Sequence, residues 1–93
     1  MPRLKVAHIR EQGQNMIIFP LDQSFGNKSN QDQEVALSDL EYRATSAGLA
    51  GHAVAIWQHG HHTHFRGPEK WQKFLRSINM QWVLANVNKE ISW

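Results

Sequence analysis

The stretch His52 to Arg66, His-Ala-Val-Ala-Ile-Trp-Gln-His-Gly-His-His-Thr-His-Phe-Arg, constrains this chain more than any other. Val54 and Ile56 alternate with Ala53, Ala55 and Trp57, which is the period of a strand over His52–Gln58. Gly60 supplies a turn, and His61–Arg66 returns as a second strand. The resulting β-hairpin holds five of the six histidines, and the rest of the sequence reads as a scaffold that presents it.

The scaffold begins with a comparable unit. From Leu4, Val6, His8 and Arg10 face one way while Lys5, Ala7 and Ile9 face the other. Gly13 and Asn15 carry turn chemistry, and Met16-Ile17-Ile18-Phe19-Pro20-Leu21 follows as a short continuous apolar run, the pattern of a strand buried on both faces. Pro20 lacks an amide donor, so the strand ends there or lies at an edge. Asp22–Gln31 is polar and reads as a loop with Phe25 tucked beneath the fold. Asp32–Ala47 predicts a helix: Leu37, Leu40, Ala44 and Ala47 share one face, acidic residues gather early and Arg43 comes late. Gly48 then suits the left-handed position after a helix, with Leu49 folding back.

After the histidine hairpin, Gly67-Pro68-Glu69 makes a helix start. Trp71, Phe74, Leu75, Ile78 and Trp82 recur at helical spacing. Residues beyond Ile78 fit a strand or a helix; the helix is preferred, interrupted near Ser77–Asn79. The order is strand, strand, helix, strand, strand, helix, and the halves echo each other: Val6-Ala7-His8-Ile9 before Gly13, Val54-Ala55-Ile56-Trp57 before Gly60. One ββα unit cannot cover its own sheet face, whereas two side by side can. The expected fold is therefore α+β: two layers, ββαββα, with a four-stranded, mainly antiparallel sheet and both helices on one face.

Ninety-three residues make one domain, taken as 1–93. An apolar share of 41% and four tryptophans argue against disorder. The core of a single copy is thin at this length, which makes a homo-oligomer, most simply a dimer, an expected partner state. The absence of cysteine excludes disulfides and thiolate metal sites. A formal charge of +2 is a small footprint for a nucleic-acid binder. The N-terminal residues hold no apolar run suited to a signal peptide and no stretch approaches a membrane span, so a cytoplasmic location is expected.

Gly48-Leu49-Ala50-Gly51 leading into a strand that ends in Trp57, and the closing Asn86-Val87-Asn88-Lys89-Glu90-Ile91-Ser92-Trp93, resemble short uncharacterised proteins carried on bacterial integron gene cassettes. That resemblance implies a bacterial, mobile-element origin and brings no catalytic residues.

Three constellations could carry chemistry. His62 and His64 lie two apart on a strand and leave the same face, a spacing at which two imidazoles share one zinc. His59, His52 or Glu69 would complete the site; the bland alternative is a solvent-facing hairpin rich in histidine. Clustered imidazoles also repel one another once protonated, the basis of a pH response. Second, Arg66, Lys70, Lys73 and Arg76 recur at spacings of three and four beside Trp71 and Phe74, a stripe able to meet phosphates with an aromatic for stacking. The alternative is a solvated face, or one that steers a second subunit toward Asp32, Glu34, Asp39 and Glu41. Third, Trp57, Ile91 and Trp93 are candidate interface residues. There is no phosphate-binding glycine loop, nucleophile motif or paired carboxylate beside a base, so no catalytic residues and no required cofactor are assigned. His8 reads as a structural histidine. The expected function is non-enzymatic: a small accessory protein that self-associates and binds a partner through the hairpin and its aromatic surface. Zinc binding comes second and weak nucleic-acid binding third.

Overall fold

The computed structural model describes residues 3–11 and 13–92. It is an α+β protein built on one mixed five-stranded sheet. The elements are β1 (Arg3–Glu11), β2 (Gln14–Pro20), α1 (Asn30–Ser46), β3 (His52–His59), β4 (His62–Arg66), α2 (Gln72–Leu75), α3 (Met80–Ala85) and β5 (Lys89–Ser92). Short 3-10 turns at Gln23–Asn27 and Glu69–Trp71 precede α1 and α2. Across the sheet the order is β4-β3-β2-β1-β5.

Three expectations are corrected here. The first concerns the pairing of β2 with β3, which is parallel, Met16 beside His52 through Pro20 beside Ile56. Parallel neighbours need a long connection, and the 3-10 turn with α1 provides it. The two ββα units therefore do not sit as repeats.

The second concerns the layers. Ala7, Met16, Ile18, Val54 and Ile56 form one cluster with Trp71, Leu75 and Val83, so α2 and α3 cover that face. Val6, Ile17, Phe19 and Ala53 pack with Ala44 and with Leu37 and Leu40 on the other face, and Ala55 and Trp57 join Phe25 beside them. Helices thus lie on both faces, as a strand apolar on both sides requires.

The third concerns the C-terminal segment. The proposed long helix is a 3-10 turn, a single turn of α2 and a separate α3, and a fifth strand follows. The interruption near Ser77–Asn79 is present, and Asn79 caps α3 by accepting a hydrogen bond from the Trp82 N–H at 2.8 Å. β5 pairs antiparallel with β1, Arg3 opposite Ser92 through Val6 opposite Lys89. Asn88 extends that ladder with its side chain, which accepts from the His8 N–H at 2.9 Å and donates to the His8 carbonyl at 2.9 Å.

Other local readings hold. α1 begins two residues before the expected Asp32, behind Ser29, whose hydroxyl accepts from the Asp32 N–H. It ends at Gly48, φ +90°, with the Leu49 N–H bonded to Ala44 and Leu49 packed on the α1 face. Phe25 is buried. His8 is structural: its Nε2 lies 2.8 Å from the Ala50 carbonyl, which can only accept, so the ring donates and ties β1 to the segment before β3.

Candidate functional site on the outer hairpin

In the β3–β4 hairpin Trp57 stands opposite His64 and His59 opposite His62. Directly opposed residues share a face, so His59, His62 and His64 all leave on the Trp57 side, the side that α1 covers further along. The two-residue loop needs a left-handed residue, and Gly60 at φ +61° provides it. His62 and His64 have ring centroids 6.5 Å apart, and His64 stacks on Trp57 at 5.9 Å with an interplanar angle of 19°. Trp57 in turn meets the edge of Phe25 at 5.0 Å. The outcome is a row of exposed imidazoles seated on a buried aromatic pair.

Of the ligand set read from the sequence, His59, His62 and His64 come to one face. Glu69 does not, because it opens the turn after β4, at the far end of that strand from His62. Among the described residues no group of three histidine or carboxylate side chains stands in position to hold a metal ion. The stack on Trp57 turns the His64 ring toward the indole, and that contact competes with convergence on His62. His61 occupies the loop and lines a separate hollow with Gln58 and Thr63, on the opposite face.

His52 works elsewhere. β4 ends at Arg66, opposite Ala55, so the first residues of β3 run on without a neighbour on that side. Glu41 of α1 fills the gap: its Oε1 accepts from the Ala53 N–H at 2.8 Å and lies 3.4 Å from His52 Nδ1. An orphan amide at a sheet edge is thereby satisfied. Arg66 closes the same corner. Its guanidinium reaches Glu34 at 2.9 Å and donates to the Gln33 side chain at 3.2 Å, and Gln33 is the buried polar residue whose amide also donates to the Phe25 and Lys28 carbonyls. Between these pairs lies a cleft of about 340 Å³ lined by Glu34, Ser38, Glu41, His52 and Arg66. Sequence reading missed Glu34, Ser38 and Glu41 as a set. The signal was present, since positions four and seven residues apart on a helix share a face.

The basic stripe is divided. Arg66 belongs to the α1 side, whereas Lys70 and Lys73 flank a second cleft on the α2 side, and Arg76 follows α2 without lining it. Of the expected interface residues, Trp57 is 8% exposed and packs with Phe25, and Ile91 is 3% exposed and packs with Val6 and Ala44. Trp93 lies outside the described residues. Among the described residues the large apolar side chains left in solvent are Val35 and Tyr42, seven apart on the outer face of α1, and Leu84 on α3. Among the described residues no helix is long and apolar enough to cross a membrane.

Comparison with family profiles, with curated proteins and with solved structures yields no match. Function must therefore be argued from this geometry.

Proposed function

We propose that this is a non-enzymatic binding protein that associates with a second copy of itself along the outer edge of β4. One observation carries the reading: that edge is unguarded. β4 pairs on one side only, and the segment His62-Thr63-His64-Phe65-Arg66 contains no lysine, proline or acidic residue. Its single full charge, Arg66, is drawn off toward Glu34. The opposite edge, β5, is four residues long and carries Lys89 and Glu90. Natural sheets protect free edges with such charges, and an edge without them is a template for strand addition. Antiparallel pairing of two β4 strands would make one continuous sheet from two copies and would align their histidine rows on one face.

The experiment is sedimentation equilibrium of the wild type and two variants. Wild type is expected to show a mass that rises with concentration to that of a dimer. Thr63→Lys places a charge within the edge strand and is expected to weaken the dimer at least about tenfold while leaving the circular dichroism unchanged. Tyr42→Ala, on the outer face of α1, is expected to leave it intact. A dimer that survives Thr63→Lys and is lost in Tyr42→Ala would place the contact on the helix instead.

A second reading, zinc binding, has one observation in its favour: His59 and His62 face each other across the hairpin with His64 on the same side. Closing three imidazoles on one ion at about 2.0–2.1 Å requires His64 to leave Trp57, a contact worth about 0.5–1.5 kcal/mol. A zinc titration followed by two-dimensional NMR is therefore expected to move the Trp57 indole N–H together with the amides of 59–64, saturating stoichiometrically. Shifts that never saturate, or that persist in His62→Ala, would remove this reading.

A further inference from the structure

Two of the clefts, the one at the foot of β4 and the one on the α2 side, differ in one respect that matters for ligands. In the cleft at the foot of β4 the polar groups already satisfy one another: Arg66 with Glu34 and Gln33, Glu41 with His52 and the Ala53 amide. In the cleft on the α2 side they do not. That cavity, about 400 Å³, lies between the β1–β2 turn and the helical turn 69–75. Its apolar wall is Met16, Trp71 and Phe74; its polar rim is Lys70 and Lys73, with Glu11, Gln14 and Ser77. Neither lysine has an ion-pair partner among the described residues, and Lys70 Nζ instead rests 5.4 Å from the centroid of the Trp71 ring. Trp71 is 5% exposed, and its indole Nε1 is the buried side-chain polar atom without a hydrogen-bond partner among the described residues.

We propose that this cleft binds a small organic monocarboxylate, with its apolar body against Met16 and Phe74 and its carboxylate between Lys70 and Lys73. Size fits, since small-molecule sites run from about 300 to 1,000 Å³ and combine apolar walls with a few placed polar groups. Charge selects the class. Two lysines against Glu11 leave one net positive charge on the lining, which a monoanion neutralises and a dianionic phosphate over-compensates. The apolar wall favours a ligand with a hydrocarbon or aromatic body over a bare inorganic ion. The spacing that looked like a phosphate-binding stripe thus resolves into a two-lysine rim over a hydrophobic floor. Nothing in this site depends on the β4 edge, so the two proposals succeed or fail separately.

The test is a two-dimensional amide NMR titration of the full chain with octanoate, benzoate and inorganic phosphate. Octanoate or benzoate is expected to give saturable shifts confined to residues 11–16 and 69–77 and to the Trp71 indole N–H, at millimolar concentration or below. Phosphate is expected to give no saturation there. Both lysines are exposed, so Lys70→Glu and Lys73→Glu should retain the folded spectrum while each weakens binding about tenfold. Glu11→Gln, which removes the opposing charge, should tighten it about twofold or more. Three results would overturn the proposal: no saturation with either carboxylate, equal affinity in the charge-reversed variants, or phosphate binding as tightly as octanoate.

Discussion

Gly51→Ala should be the most damaging single-methyl addition in this protein. Gly51 sits at φ +125°, a region closed to L side chains, and a Cβ built there lies 2.5 Å from the Asn15 carbonyl oxygen and 2.8 Å from its carbon. Both are backbone atoms at the point where β2 and β3 begin to run side by side, so relief requires the two strands to part. Backbone strain of this kind costs about 1–3 kcal/mol, and displacing a central strand pair adds to it. We expect a loss of about 3–5 kcal/mol, against roughly 5–14 kcal/mol of total stability for a chain of this length. Gly48→Ala is the control. It shares a positive φ, +90°, but a Cβ there meets nothing within 4 Å, so only the left-handed penalty of about 1 kcal/mol applies. Urea unfolding of both variants checks the difference; equal midpoints would mean that the close approach to Asn15 carries no energetic weight.

Phe19→Ala is expected to follow closely. Phe19 is fully buried, in the central part of the sheet, among Val6, Ile17, Ala44, Ala53 and Ile91. Truncating a buried phenylalanine costs about 3–5 kcal/mol, because the cavity adds to the lost transfer energy. The neighbours come from β1, β3, α1 and β5, so no one element can relax into the space without disturbing the sheet. Ile18→Val, the adjacent residue on the opposite face, should cost only about 0.5–1.5 kcal/mol. Thermal and urea unfolding should rank the two variants in that order. The reverse order would locate the stabilising core on the α2–α3 face.

These core positions also show where sequence reasoning stopped short. Met16 to Phe19 reads correctly as a strand buried on both sides, and that reading already required a covering layer on each face. The two-layer fold contradicted it; parity along β2 and β3 held the better answer. Period-2 alternation likewise placed His62 and His64 on one face, and Gly48, Gly60 and Phe25 behaved as their chemistry dictates; that His59 joins them follows only from the hairpin register. What could not be read was long-range. Lys89-Glu90-Ile91-Ser92 has one buried residue and no strong pattern of its own; it becomes a strand because β1, more than eighty residues away in sequence, pairs with it and the neighbouring Asn88 side chain bonds to His8. Arg66 looked like one member of a basic stripe because its partner, Glu34, lies on another element. Trp57 looked like surface because nothing in its neighbourhood announced that Phe25 would close over it.

The placement of β5 has a consequence for how the molecule assembles. Most of the sheet can form between near neighbours: two hairpins, and a parallel pair bridged by α1. The β1–β5 ladder alone joins residues 3–6 to 89–92, close to the full sequence span, and its loop-closure entropy is correspondingly the largest in the fold. Contacts of that separation form late and slow the overall rate. Until β5 arrives, β1 presents a bare edge in what will become the interior, with Val6 and Leu4 uncovered by Ile91. A nascent or refolding chain therefore passes through a state with two open edges, β4 and β1, where the finished protein guards one of them. Concentration should divert refolding toward aggregates at that stage, and amides of β5 should be the first in the sheet to exchange with solvent.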